Sequence, residues 1–185
     1  MSVGAVFVCA HGAGGHKDDR GMLAVAQALE GIGVEVVRFN FPYRDKGAKL
    51  PDPMPTLKAC VAETAERCRG EKKLIIGGRS MGGRAASMLA ADGFQCSGLL
   101  LLAYPLHPPG KPEKLRDAHL PNIRVPVLCF NGTRDTLCRR DLMERAIASL
   151  PRWQMRWIEG AGHSFRTKDM PAIAEVSRDW LSRLA

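Results

Sequence analysis

The stretch Leu74-Ile75-Ile76-Gly77-Gly78-Arg79-Ser80-Met81-Gly82-Gly83-Arg84 restricts the folding of this chain more than any other. Lys73 to Gly77 reads as a short buried strand and Ala85 to Ala91 as a helix, with only a tight turn between them. Ser80 sits on that turn, in the pattern Gly78-Arg79-Ser80-Met81-Gly82. A serine on a sharp strand-to-helix turn takes a strained backbone conformation, and neighbours two residues either side must lack bulk. The same geometry sets the first free N–H groups of the helix beside the hydroxyl, where they can hold a developing oxyanion. A phosphate-cradling loop is the competing reading of such glycines, but no G-x-x-x-x-G-K-[ST] occurs.

The rest of the chain alternates in the same way. Val3 to Cys9 is an apolar run that fits a strand buried on both faces, and His11-Gly12-Ala13-Gly14-Gly15-His16 follows it directly. Arg20 to Glu30 has helical spacing and stops at Gly31, and Val34 to Phe39 is the second strand. An irregular loop through Tyr43 and the prolines 51, 53 and 55 leads to a helix expected from Thr56 to Arg69. Gly98 to Ala103, Val125 to Phe130 and Gln154 to Ile158 are three more strands; helices are expected at Arg139 to Leu150 and Met170 to Leu184. Tyr104 to Asn122 is proline-rich and the only irregular stretch long enough for a small lid or rim. Apolar strands alternating with helices predict an α/β, three-layer fold: a mostly parallel six-stranded sheet flanked by helices, in one domain spanning residues 1–185.

In such sheets the site lies at the carboxyl ends of the strands. Four marked segments fall there: residues 11–15, 78–82, 132–135 and 160–163. A serine hydroxyl is a poor nucleophile without an adjacent base, and a histidine base needs a carboxylate to fix its tautomer. Ser80, Asp135 and His163 supply these in the order Ser…Asp…His, each just after a strand. Asp117 is the alternative acid, and Asp135 is favoured because it stands right at a strand end. His107 and His119 compete with His163 but have no strand immediately before them. The amides of Met81 and Ala13 are assigned to the oxyanion hole, with Gly14 as the fallback second donor. Arg79 and Arg84 flank the nucleophile and are candidates for recognising an anionic group; Tyr43 and Arg44 are candidates for the pocket lining.

Composition narrows the partners. A net charge of +8 comes from lysines and arginines scattered along the chain, with no basic block, so a solvated positive surface is expected and no nucleic acid. No apolar run approaches the length of a membrane span, and residues 3–10 are too short and lack a basic leader for a secretory signal. Six cysteines show no C-x-x-C and no metal-ligand spacing, which predicts reduced thiols, no metal, and a cytoplasmic location.

Together the His11–Gly15 loop, Phe39-Asn40-Phe41-Pro42-Tyr43 and Gly78-Arg79-Ser80-Met81-Gly82-Gly83 resemble the α/β-hydrolase fold. The resemblance is to its small capless branch related to dienelactone hydrolases, and within it to the testis-expressed protein 30 type family. It covers nearly the whole chain. It implies a Ser80 strand third in sequence and central in the sheet. The chain departs from the family pattern in two ways: a minimal fold lacking the usual N-terminal antiparallel hairpin is expected, and the nucleophile is serine where dienelactone hydrolases carry cysteine. The expected activity is cleavage of an ester or thioester of a small molecule through a Ser80–His163–Asp135 triad and an acyl-enzyme, with no cofactor. An acyltransferase or amidase using the same nucleophile is one alternative. A non-catalytic interaction module that retains the fold is another, since fold alone does not establish activity.

Overall fold

The computed structural model describes residues 4–185. The chain runs β1 (Ala5–Ala10), α1 (Arg20–Glu30), β2 (Val34–Phe39), a one-turn α2 (Pro42–Asp45), α3 (Met54–Arg67), β3 (Lys73–Arg79), α4 (Met81–Ala91), β4 (Gly98–Leu102), β5 (Val127–Gly132), α5 (Arg140–Ile147), β6 (Trp153–Ile158) and α6 (Met170–Ser182). Two single turns of 3₁₀ helix, Leu120–Asn122 and Thr167–Asp169, complete it. The strands form one sheet in the order β2-β1-β3-β4-β5-β6. Every pairing is parallel, so the sheet expected to be mostly parallel is wholly so among the described residues.

Strand periodicity builds the three layers. Val6, Val8 and Ala10 of β1 join the core beneath α3, α4 and α5, while Ala5, Phe7 and Cys9 face α1 and α6. Both faces being covered explains why β1, β4 and β5 are apolar at successive positions rather than at alternate ones. The chain moves outward from β1 to β2, then crosses back to place β3 on β1's other edge. That reversal leaves a crevice at the carboxyl ends of β1 and β3, where the His11–Gly15 loop and Ser80 emerge.

Several boundaries differ from those expected. The helix placed at Thr56 starts at Met54, because Pro55 fits a first turn whose N–H groups have no intrahelical acceptor anyway. The fifth strand starts at Val127 rather than Val125, since Pro126 has no N–H for the ladder, and it runs on to Gly132. The helix expected over 139–150 is regular only to Ile147. Residues 104–122, expected as a small lid or rim, are tied to the body of the fold at several points: Tyr104, Leu106 and His107 are buried, Tyr104 Oη donates to Arg116 O at 2.7 Å, and Arg116 N–H donates to Leu106 O at 2.7 Å. Among the described residues no helix is long and apolar enough to cross a membrane.

Candidate active site

Ser80 takes φ 50° and ψ −118°, a conformation that L-residues adopt only when their surroundings dictate it. The surroundings here are close backbone approaches. A Cβ on Gly78, itself at φ 138°, would stand 2.1 Å from Ala10 O, and one on Gly82 would stand 2.5 Å from His11 O. The carboxyl end of β1 therefore touches both flanks of the turn, Gly78 before it and Gly82 after it, at positions where any side chain would collide. Ser80 N–H still donates to Leu102 O at 2.9 Å, extending the β3–β4 ladder, while Ser80 O accepts from Arg84 N–H at 2.9 Å in the first turn of α4. The hydroxyl is thus held between a strand and a helix, half-exposed at the sheet's carboxyl edge.

Asp135 and His163 reach it from the loops after β5 and β6. These loops are stitched to each other. Arg134 N–H donates to Ala161 O at 2.9 Å and Thr133 N–H to Ile158 O at 3.1 Å, and Thr133 Oγ1 accepts from Gly160 N–H at 2.9 Å. A Cβ on Gly132 would lie 2.0 Å from Ala161 O, so only glycine permits this approach. The result brings the three residues into one line. His163 Nε2 lies 2.7 Å from Ser80 Oγ; Nδ1 lies 2.9 Å from Asp135 Oδ2 and 3.0 Å from Oδ1. The Asp135 side chain has no solvent exposure, against 26 % for His163. Its carboxylate also accepts from Leu137 N–H at 2.8 Å and from Asn131 Nδ2 at 3.1 Å. With Nδ1 donating to the carboxylate, Nε2 is left free to accept the serine proton.

Asn131 escaped sequence reasoning. It is fully buried, exchanges hydrogen bonds with the backbone N–H and C=O of Tyr104, both at 3.1 Å, and spends its remaining donor on Asp135. The available signal was one polar residue closing an otherwise apolar strand, four positions before the acid. The alternative groups have other partners. Asp117 makes no hydrogen bond to His163 among the described residues, and its carbonyl accepts from Leu120 N–H. His107 links the carbonyl of Pro108 to the N–H of Arg139, and His119 Nε2 lies 2.8 Å from Ser87 Oγ.

The loop after β1 is anchored by His11. Its Nδ1 donates to Gly12 O at 2.8 Å and its Nε2 accepts from Phe41 N–H at 3.1 Å, fixing the neutral Nδ1–H tautomer. Burial holds its pKa below the ordinary histidine value. Gly12 packs against Ser80 itself: a Cβ there would lie 3.4 Å from Ser80 Cβ. Ala13 is exposed beyond it and lines the same cavity as Ser80 and Met81. Tyr43 is buried rather than lining that cavity, its hydroxyl has no hydrogen-bond partner among the described residues, and burial raises the tyrosine pKa.

Two cavities adjoin the turn. One, of about 390 Å³, is lined by Ala13, Ser80, Met81, Arg84, Arg116 and Leu137 among others. The other, of about 400 Å³, lies between α1 and the loop after His163. Arg79 lines the second and not the first, its guanidinium donating to Ser164 Oγ. Among the described residues no three His, Cys, Asp or Glu side chains gather as a metal cluster. Burial pushes the Cys9 thiol up to about 12 and Cys96 up to about 11, which keeps both as thiols rather than nucleophilic thiolates.

A family model described as "Alpha/beta hydrolase domain" matches residues 3–177. Among solved structures, an alpha-beta serine hydrolase homologue from Coxiella burnetii is 18 % identical, with a TM-score of 0.73 over 99 % of this chain and 86 % of that one. A dienelactone hydrolase from Anabaena variabilis is 20 % identical, with a TM-score of 0.75 over 99 % and 87 %. Est1E from Butyrivibrio proteoclasticus, solved with ferulic acid bound, is 16 % identical, with a TM-score of 0.74 over 96 % and 87 %. At these identities the likeness speaks for the fold.

Proposed function

The chain belongs to the alpha/beta hydrolase domain family, and from that premise we propose that it is a serine hydrolase cleaving a carboxylic ester or thioester. Ser80 Oγ attacks the carbonyl carbon as His163 Nε2 takes its proton. The oxyanion is held by the backbone N–H groups of Met81 and Ala13, for which no protein acceptor competes among the described residues. The bond to the leaving alcohol or thiol then breaks, and His163 returns the proton to it. Water, deprotonated by His163, attacks the acyl-enzyme, and collapse releases the acid and restores Ser80. Asp135 holds His163 in the Nδ1–H form and stabilises the imidazolium between these transfers.

One observation carries this reading: His163 Nε2 is 2.7 Å from Ser80 Oγ while its other nitrogen faces a fully buried carboxylate. A histidine placed only to cap α6 has no need of either contact. The same proposal takes residues 1–185 as one domain in a reducing cytoplasm, a setting supported by six unpaired cysteines.

The test is intact-mass analysis after treatment with a fluorophosphonate. Wild type should take one adduct, Ser80→Ala none, and His163→Ala should label slower by about 10²–10⁴-fold. Asp135→Asn should lower kcat for a small ester by about 10⁴-fold while the fold persists. Folded wild type that takes no adduct overturns the assignment of Ser80.

A further inference from the structure

Of the two cavities, only the one of about 390 Å³ includes Ser80 in its lining, so an acyl group bonded to Ser80 Oγ lies there. Its wall is apolar at Met54, Leu57 and Leu137, yet two arginines, Arg84 and Arg116, also line it. Arg84 lies four residues, just over one turn of α4, beyond Ser80, an axial distance of about 6 Å. Its side chain therefore reaches groups a few bonds from the acyl carbon.

Neither arginine has an anionic partner. Arg38, Arg69, Arg139, Arg140 and Arg166 each form an ion pair with a carboxylate, and among the described residues Arg84 and Arg116 form none. Arg84 Nε is buried without an acceptor. Arg116 has one side-chain hydrogen bond, a long one of 3.4 Å to Pro105 O. Burial, then the nearby charge of Arg84, lowers the Arg116 pKa, so the two cations feel each other in a partly dry setting. One carboxylate, Asp52, also lines the cavity, but its Oδ2 accepts from Tyr43 N–H at 2.8 Å and pairs with neither arginine. Two guanidiniums without an ion-pair partner, lining one cavity with Met54, Leu57 and Leu137, are a donor set suited to a carboxylate or a phosphate.

Resting on the serine-hydrolase reading above, we infer that the acyl group of the substrate carries an anion, a carboxylate or a phosphate, bound by Arg84 and Arg116. Hydrolysis of a hemiester of a short dicarboxylic acid gives the alcohol and the dicarboxylate, with the second carboxylate held by the arginines throughout.

The experiment compares kcat/KM for monoethyl glutarate, ethyl valerate and ethyl 3-phosphonopropionate, with fluorophosphonate labelling of Ser80 run in parallel. Wild type should favour an anionic ester over ethyl valerate by about 10–100-fold, and the glutarate and phosphonate arms tell a carboxylate site from a phosphate site. Arg84→Met and Arg116→Met should each lower that ratio by about 10-fold, with Arg84→Lys retaining part of it; because a ratio is read, a general loss of activity cancels. A labelled wild type that cleaves ethyl valerate as fast as both anionic esters overturns the inference while leaving the hydrolase reading intact. If wild type takes no label, the hydrolase reading falls, and the arginine pair is judged by binding alone. Glutarate raising the Tm of Ser80→Ala but not of the Ser80→Ala/Arg84→Met double variant supports the anion site, and no rise in either overturns it.

Discussion

Two neighbouring strands end in the same unusual way and continue in opposite ones. Ser80 after β3 and Ala103 after β4 are the only non-glycine residues with positive φ among the described residues, at 50° and 54°. At Ser80 the conformation is enforced by absent side chains: Gly78 and Gly82 let the carboxyl end of β1 close onto both flanks of the turn, and the chain enters a helix at once. At Ala103 it is enforced by hydrogen bonds made at a distance. Ala103 N–H donates to Phe130 O at 2.7 Å, and the next residue is clamped at both its backbone groups by Asn131. The chain then wanders through residues 104–122 before the next regular strand. One bend is specified by what is missing within five residues, the other by what arrives from nearly thirty residues away.

The largest effect should come from filling the first bend. Gly78→Ala places a methyl group 2.1 Å from Ala10 O, at a φ of 138° that alanine rarely adopts. Backbone cannot yield as a flexible side chain can, so a loss of about 4 kcal/mol or more is expected by chemical denaturation. A near-normal denaturation midpoint for this variant would show that β1 and β3 can separate, and would break the comparison at its stronger end.

The second bend should be softer and should fail through the site. Asn131→Ala removes four buried side-chain hydrogen bonds, one of them from the Cys129 thiol, and leaves the Tyr104 amide and carbonyl unpaired. About 2–4 kcal/mol of stability should go with them. Because one of those bonds also fixes Asp135, the fluorophosphonate labelling rate of Ser80 should fall as well, by about 10-fold in protein that is still folded at the assay temperature. A drop in stability with no change in labelling would assign Asn131 to the bend alone.

The same contrast explains what could be read in the sequence. The strand–turn–helix at Ser80, the alternation of strands and helices, and the placement of Asp135 and His163 at strand ends all depend on local spacing, and all were legible. Asp135 could be preferred to Asp117 because a strand end aims its loop at the site, whereas Asp117 belongs to a segment whose path no local rule dictates. For the same reason Asn131 and Arg116 were not legible in their roles. Each matters through a partner brought to it by residues 104–122, and proline-rich composition says that this segment is irregular without saying that Tyr104 and Leu106 turn inward. Arg79 and Arg84 looked alike beside Ser80, yet one ends a strand and the other starts a helix, which sends them to different cavities.

Strain itself can be weighed at both bends. Replacing a non-glycine residue at positive φ by glycine removes the Cβ clash, so Ser80→Gly should be more stable than Ser80→Ala by about 1 kcal/mol. Ala103→Gly should gain less, because the hydrogen bonds of Ala103 and Tyr104 already hold that bend in place. Equal gains at the two positions would erase the distinction between them, and thermal denaturation of the three variants decides it.

The smallest expected effect separates the regions by pH. His119, in the second region, bonds Ser87 Oγ on α4, and burial together with the charge of Arg84 lowers its pKa from 6.5 to about 4. Between those values the unfolded chain binds a proton that the folded chain refuses. The contribution to stability is therefore complete above pH 6.5 and is lost as pH falls through 4. The ring is only partly buried, so solvent screens much of the effect. His119→Gln keeps a polar group facing Ser87 but cannot titrate, and its denaturation midpoint should fall less steeply than that of wild type over this window. His11 and the arginine-paired carboxylates Asp18, Glu66, Asp141 and Asp169 also titrate below their ordinary values and remain in both proteins, so the slope they share belongs to those groups and only the difference belongs to His119. Parallel curves for the two proteins would mean that His119 is protonated without disturbing the second bend, and that its contact with Ser87 does not help to hold that segment on α4.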